Sequence, residues 1–133
     1  PFVVADIPGL IEGAHQGAGL GDRFLRHVDR TRILVHLIDA SMLDEDDPLA
    51  PYKIINRELA LYGRGLAEKP QVVVLNKMDI PGTEPKATAF ESALPDVKIF
   101  RISAFTRQGV KQLLNSLSTL LDQLNESRQE AVL

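Results

Sequence analysis

A short polar sequence, Asn76-Lys77-Met78-Asp79, directly follows the apolar run 72–75. Such a run is typical of a buried strand, and open α/β sheets bind their ligands at the edge where the strands end. The Asp79 carboxylate can accept two parallel hydrogen bonds, and guanine offers a matching pair of donors, its ring N–H and its exocyclic amine. Adenine lacks both donors, so a buried carboxylate that faced it would stay unpaired, at a cost of about 1–3 kcal/mol. Asn76, Lys77 and Asp79 are therefore candidate guanine-selecting residues.

The composition is that of an ordinary globular domain. The chain has 133 residues, of which 44% are hydrophobic and 25% are charged, and its formal net charge is −3. This length suffices for one domain with its own core. No apolar run approaches the roughly 20 residues of a membrane span, and the chain has no cysteine for a disulfide or a thiolate metal site. We expect an intracellular protein without a generally basic nucleic-acid-binding surface.

Two further apolar runs end in small or polar residues. The run 2–5 leads into Asp6-Ile7-Pro8-Gly9, and a predicted strand over 97–102 leads into Ser103-Ala104. Because the carboxyl ends of parallel strands reach the same edge of a sheet, we expect Asp6, Asn76 and Ser103 to converge on one crevice.

Strand and helix patterns alternate along the whole chain. This alternation predicts βαβ units and an α/β fold, a doubly wound, mostly parallel sheet with helices on both faces. Residues 127–133 lose the helical pattern and are expected to fray. The predicted strands are 2–5, 33–38, 71–75 and 97–102, and the predicted helices are about 22–30, 51–66, 85–94 and 110–124.

Residues 9–21 contain five glycines and predict a mobile loop. This loop, the segment Phe24-Leu25-Arg26-His27 and the three strand-end motifs together resemble the Obg family of translation-factor-type GTPases. Asp6-x-x-Gly9, Asn76-Lys77-x-Asp79 and Ser103-Ala104 match three of the family's nucleotide motifs in order. The resemblance covers nearly the whole chain and implies a partial P-loop GTPase fold over residues 1–126.

The resemblance implies a role for each motif residue. Asp6 would hold Mg²⁺ through a water, and the Gly9 amide would sense the γ-phosphate. Asn76 would bind the base edge and brace the phosphate-binding loop, while the Lys77 stem would lie along the ring. Asp79 would pair with guanine. Ser103 would support Asp79, and the Ala104 amide would contact the guanine carbonyl oxygen.

The phosphate-cradling loop and the switch threonine of this family do not occur in the sequence. We expect them upstream of Pro1, together with the first strand of the domain. The chain alone is therefore expected to bind GTP weakly or not at all and to be inactive. A direct pairing of the strands near Phe2 and Ile33, or a dimer, would close the resulting gap in the sheet.

Leu10 stands where many relatives carry a glutamine that orients the attacking water. The catalytic group is thus unknown, with Glu12, His15 and Gln16 as nearby candidates. The resemblance implies a cytoplasmic protein that binds GTP and GDP, hydrolyses GTP slowly with Mg²⁺, and acts in large ribosomal subunit assembly and stress responses. Two alternatives stay open: another Obg-like branch, and a non-catalytic, nucleotide-gated ribosome-binding module.

Two charged clusters complete the sequence. The acidic loop 44–47 lacks the glycine and terminal glutamate of an EF-hand, which favours a solvated loop over a calcium site. A basic cluster is most simply a solvated surface, with contact to ribosomal RNA as the alternative. It comprises Arg23, Arg26, His27, Arg30 and Arg32.

Overall fold

The computed structural model describes residues 31–63 and 65–132, with the backbone alone for Tyr62 and residues 125–132. Strand and helix alternate through these residues, as the sequence predicts. In chain order the elements are β1 (Leu34–Asp39), α1 (Ala50–Tyr62), β2 (Gln71–Asn76), α2 (Thr83–Ala93), β3 (Ile99–Arg101) and α3 (Val110–Val132), with 3-10 turns at Ala40–Met42 and Leu66–Glu68.

The three described strands form one parallel sheet in the order β1-β2-β3. In this register Asp39 lies opposite Asn76, and Leu75 lies opposite Arg101. The central strand β2 has a continuous buried apolar run, Val72 to Leu75, which is typical of a parallel strand covered on both faces. All three strands therefore end at one edge, and the predicted α/β class is confirmed.

Helices cover both faces of the sheet, as predicted. On one face Val73 and Leu75 pack with Phe90 of α2, which is fully buried. On the other face Val72 and Val74 pack with the α3 stripe that contains Leu113 and Leu117. Burying a side chain of this size contributes about 1.5–3 kcal/mol, so the helices hold the strand ends in a fixed frame.

The helix α1 begins where the sequence indicates and ends at Tyr62, just before the predicted end near Gly63 to Leu66. Pro51 lies in its first turn, where a missing N–H costs nothing. Gly63 follows its last residue with φ +76°, a conformation that glycine adopts without strain. Leu59 of α1 and Leu66 of the following 3-10 turn are buried.

Three other boundaries differ from the prediction. β3 is shorter because the Val97 N–H closes a turn onto the Leu94 carbonyl before the strand starts. α2 begins at Thr83, whose hydroxyl donates to the Ile80 carbonyl at 2.9 Å and stabilises its first turn. The backbone of α3 stays helical beyond Asn125, to Val132. Fraying of residues 127–133 stays a prediction.

The predicted strand 2–5, the glycine loop and the helix near 22–30 lie outside the described residues. How the sheet continues beyond β1 likewise depends on residues outside the described ranges. Within residues 31–63 and 65–132, no helix is both long and apolar enough to cross a membrane.

Candidate nucleotide-binding site

The loops after β2 and β3 are joined to each other at the sheet edge. The Ile102 N–H donates to the Leu75 carbonyl at 2.8 Å, and the Met78 N–H donates to the Ile102 carbonyl at 3.2 Å. These bonds continue the pairing of the two strands past their ends. The expected convergence of Asn76 and Ser103 is therefore confirmed, whereas Asp6 lies outside the described residues.

Ser103 orients Asp79. Its hydroxyl donates to Asp79 Oδ1 at 2.8 Å and accepts a hydrogen bond from the Thr106 N–H at 3.1 Å. Ser103 is only 1% exposed, so its hydroxyl is held in place by the packing around it. A carboxylate has about four lone-pair positions, and the bond from Ser103 uses one. Asp79 itself is exposed and retains the capacity to accept two further donors.

Asn76 and Ala104 contact each other across the two loops. The Ala104 N–H donates to Asn76 Oδ1 at 3.0 Å. The carboxamide thus acts as an acceptor here, and its NH₂ group is the part that can donate to a base edge. The family resemblance implies that both residues contact the base but does not predict this bond between them.

Lys77 is anchored by the end of the neighbouring strand. Its Nζ lies 2.9 Å from Asp39 Oδ2. The other oxygen, Asp39 Oδ1, accepts from the Ser41 N–H at 3.0 Å and from the Ser41 hydroxyl at 2.6 Å. Desolvation acts to raise the pKa of Asp39, but the bonds from Ser41 and the ammonium of Lys77 outweigh it and hold this pKa below its ordinary value.

The loop after β2 has an unusual backbone. Lys77 has φ +67°, a left-handed conformation that is uncommon for residues other than glycine. The turn closes with a bond from the Ile80 N–H to the Lys77 carbonyl at 3.1 Å. The Thr83 hydroxyl, buried at the start of α2, lies 3.3 Å from the Met78 carbonyl. The strained residue is thus surrounded by bonds that fix it, as is common at functional sites.

The loop after β3 depends on a glycine. Gly109 has φ +78°, and a Cβ at this position would lie 2.5 Å from the Arg101 carbonyl oxygen. Only a residue without a side chain fits this approach. The return of the loop is also fixed by a bond from the Ser103 N–H to the Gln108 carbonyl at 3.0 Å. Ser103 and Ala104 therefore lie on a loop that is closed at both ends.

Arg101 ties β3 to α2 beside the site. It donates two bonds to Glu91, from Nε at 2.6 Å and from Nη2 at 2.9 Å, and a third to Glu84 at 2.5 Å. The Glu91 hydrogen bonds raise the pKa of Arg101 above its ordinary value. A bidentate pair of this kind is geometrically specific, so it fixes the residue that precedes Ile102 and Ser103.

Sequence reasoning missed several supporting residues. Asp39 carried a visible signal, since it ends a predicted strand just as Asn76 does. Ser41, Thr106 and Gly109 carried none, because their contacts depend on loop torsions that periodicity does not encode.

The remaining sequence-based expectations concern the acidic loop and residues that the structure does not describe. In the acidic loop, Asp44 Oδ1 accepts from the Asp46 N–H at 2.9 Å in a local turn. Among the described residues no group of three or more His, Asp or Glu side chains is placed to hold a metal. The predicted residues outside the described part of the chain are Asp6, Gly9, Leu10, Glu12, His15, Gln16, Arg23, Arg26, His27 and Arg30.

Comparison with known proteins identifies relatives of the chain. A family model described as 50S ribosome-binding GTPase matches residues 1–77. The chain is 63% identical to GTPase Obg of Desulfosudis oleivorans, over 91% of its own length and 36% of that relative. It is 54% identical to GTPase Obg of Desulfatibacillum aliphaticivorans (88% and 35%) and 52% identical to that of Anoxybacillus flavithermus (91% and 28%). The chain thus spans about a third of the length of the curated relatives it matches.

Proposed function

The chain belongs to the family of 50S ribosome-binding GTPases, and we propose that it forms the guanine-recognising part of an Obg-type GTPase. The bond from Ser103 to Asp79 carries this proposal. It holds a carboxylate at the edge of a parallel sheet, with acceptor positions left for the ring N–H and the amine of guanine. Asn76, Lys77 and Ala104 complete the base site from the same edge.

Asn76 and Ala104 recognise the remaining edge of the base in this proposal. Their mutual bond holds the carboxamide and the loop amide side by side. The Asn76 NH₂ group donates to a ring nitrogen, and the Ala104 N–H is shared between Asn76 and the guanine carbonyl oxygen. Together with Asp79, these groups complement every polar position that distinguishes guanine from adenine.

The proposed reaction is slow hydrolysis of GTP to GDP by water attack on the γ-phosphate. Mg²⁺ neutralises charge on the phosphates when it is bound. It usually takes one or two protein carboxylates together with phosphates and waters, which suits Asp6 as a water-mediated ligand. Gly9 would contact the γ-phosphate. In the part of the chain that the structure describes, no group of three or more His, Asp or Glu side chains is placed to hold a metal ion.

Leu10 bears on the rate of this reaction. An aliphatic side chain cannot orient a water by hydrogen bonding, so the water must be positioned by another group or by a partner. This observation also supports the second candidate function, a nucleotide-gated ribosome-binding module in which hydrolysis is incidental. If hydrolysis-deficient, GTP-loaded full-length protein docks on ribosomes and supports assembly, the module is favoured.

The proposed partner is the large ribosomal subunit, and the proposed location is the cytoplasm. The description of the matching family, 50S ribosome-binding GTPase, supports the ribosomal part of this proposal. Large-subunit assembly and a role in stress responses are what membership of the Obg branch implies. Co-sedimentation of the full-length, GTP-loaded protein with isolated 50S subunits tests the partner directly.

A comparison of nucleotides tests the guanine site in the unmodified, full-length protein. Inosine diphosphate lacks only the exocyclic amine, so it loses one of the two bonds to Asp79. We expect binding about 10- to 100-fold weaker than that of GDP, since a hydrogen bond to a charged group contributes about 1.5–3 kcal/mol. ADP should bind more weakly still. Equal calorimetric affinities for GDP and inosine diphosphate would contradict the assignment of Asp79.

A further inference from the structure

Asp39 lies one strand away from the guanine-selecting motif but is directed toward it by the sheet register. It is the residue opposite Asn76, and its carboxylate oxygen Oδ2 lies 2.9 Å from Lys77 Nζ. Parallel pairing therefore brings the end of β1 to the residue that follows β2. Asp39 has no role in the guanine recognition proposed for Asn76, Lys77, Asp79 and Ala104.

The carboxylate of Asp39 is itself held in one orientation. Ser41 donates to Oδ1 from both its backbone N–H and its hydroxyl. Lys86 of α2 holds the 3-10 turn that contains Ser41, because its Nζ donates to the Ser41 carbonyl at 2.7 Å. A carboxylate fixed in this way is a defined anchor for an ammonium group rather than one of many exchangeable surface partners.

Lys77 is thus fixed at both ends. Its backbone adopts φ +67°, which sets the direction in which the side chain leaves the loop, and Asp39 holds the ammonium. A free lysine stem samples many rotamers, and ordering it on binding costs conformational entropy. A stem that is already held spares the ligand this cost, which is the general basis of preorganisation.

We propose that Asp39 is a positioning residue for guanine binding, which holds Lys77 so that its aliphatic stem lies along the face of the base. This inference rests on the proposed function, because it needs a guanine at the site. The simpler interpretation is an ordinary surface ion pair. Half of the Lys77 side chain is exposed, and exposed pairs contribute little to folding. The two interpretations predict different effects of removing Asp39. A positioning residue affects GDP binding, whereas a surface ion pair does not.

A double-mutant cycle in the full-length protein distinguishes them. The variants are Asp39→Asn, Lys77→Met and the double variant, and the measurements are the GDP dissociation constant, the GDP release rate and urea unfolding. Asp39→Asn should weaken GDP binding about 3- to 10-fold, mainly through faster release, with little change in the unfolding midpoint. In the Lys77→Met background it should have no further effect, because the ammonium through which Asp39 holds the side chain is gone.

The matched control is Asp47→Asn, which removes one negative charge from the exposed loop that follows β1. It should leave GDP affinity unchanged. The proposal is overturned if Asp39→Asn binds GDP as the unmodified protein does, or if its effect adds fully to that of Lys77→Met. Failure of the proposed function appears separately, as an unmodified protein that does not prefer GDP to inosine diphosphate.

Discussion

The Ser103 hydroxyl donates to Asp79 Oδ1 at 2.8 Å although 24 positions separate the two residues in the chain. The contact forms because β2 and β3 are parallel neighbours and both loops leave the same edge of the sheet. A buried hydroxyl thus orients an exposed carboxylate. The selectivity of the proposed site therefore depends on the sheet as much as on the four-residue motif.

Removing this hydroxyl should weaken both binding and folding. Ser103→Ala deletes the donor to Asp79 and the acceptor of the Thr106 N–H. We expect GDP affinity to fall about 3- to 10-fold and the free energy of unfolding to fall by about 1–2 kcal/mol. Calorimetry and urea denaturation measure the two quantities. Thr119→Ala, which removes an exposed hydroxyl from α3, is the control, and GDP affinity should not distinguish it from the unmodified protein.

Two glycines with similar φ angles should differ in their tolerance of alanine. Gly63 and Gly109 have φ +76° and +78°, but a Cβ at Gly63 meets nothing within 4 Å, whereas at Gly109 it lies 2.5 Å from the Arg101 carbonyl. Gly63→Ala should cost about 1–3 kcal/mol of unfolding free energy from backbone strain alone. Gly109→Ala should cost clearly more and also weaken GDP binding, since the clash displaces the Ser103 loop. Equal losses of stability in the two variants would refute this account of the loop.

His36 should make stability depend on pH. Burial lowers its pKa, and the hydrogen bond with Gln71 offsets this only in part. Its ring also stacks on Tyr52, with the centroids 5.4 Å apart. Below the ordinary value of about 6.5 the unfolded chain binds a proton that the folded chain resists. The contribution of His36 to the free energy of unfolding is therefore complete above that pH. It is lost as the pH falls below that value, by no more than about 1.4 kcal/mol per pH unit.

The measurement for His36 is urea unfolding between pH 5 and 7.5. His36→Phe can keep the stacking on Tyr52 but has no titratable group, so its slope against pH should be smaller than that of the unmodified protein. The absolute stability of the variant is a separate quantity, because Gln71 Oε1 loses its contact with His36, although Gln71 Nε2 still donates to Asn56. Identical slopes for the two proteins would show that His36 is not the source of the dependence.

Much of this architecture could be predicted from the sequence. The continuous apolar run of β2 and the helical spacing of the leucines in α3 are clear signals, and the polar residues that follow the strands indicate the shared edge. Asn76 and Ser103 were found in this way. The same signal was visible at Asp39, but nothing in the sequence shows that Lys77 turns toward it.

The rest depends on loop geometry. The left-handed backbone of Lys77 and the close approach of Gly109 to Arg101 arise from tertiary packing, which overrides local preference. The bond between Ala104 and Asn76 likewise requires the two loops to be in place. The predicted roles of Asp6, Gly9 and Leu10 remain predictions, because these residues lie outside the described part of the chain.

Asp79 is the residue proposed to select guanine, and the decisive experiment is an exchange of nucleotide preference in Asp79→Asn. Xanthine carries a carbonyl where guanine carries its amine, so a carboxamide NH₂ can donate to xanthine but not to guanine. In the full-length variant, GDP affinity should fall about 100-fold, and xanthosine diphosphate should become the tighter ligand. A variant that loses GDP affinity without gaining xanthosine diphosphate, while its urea unfolding is unchanged, would contradict the claim. So would one that still prefers GDP.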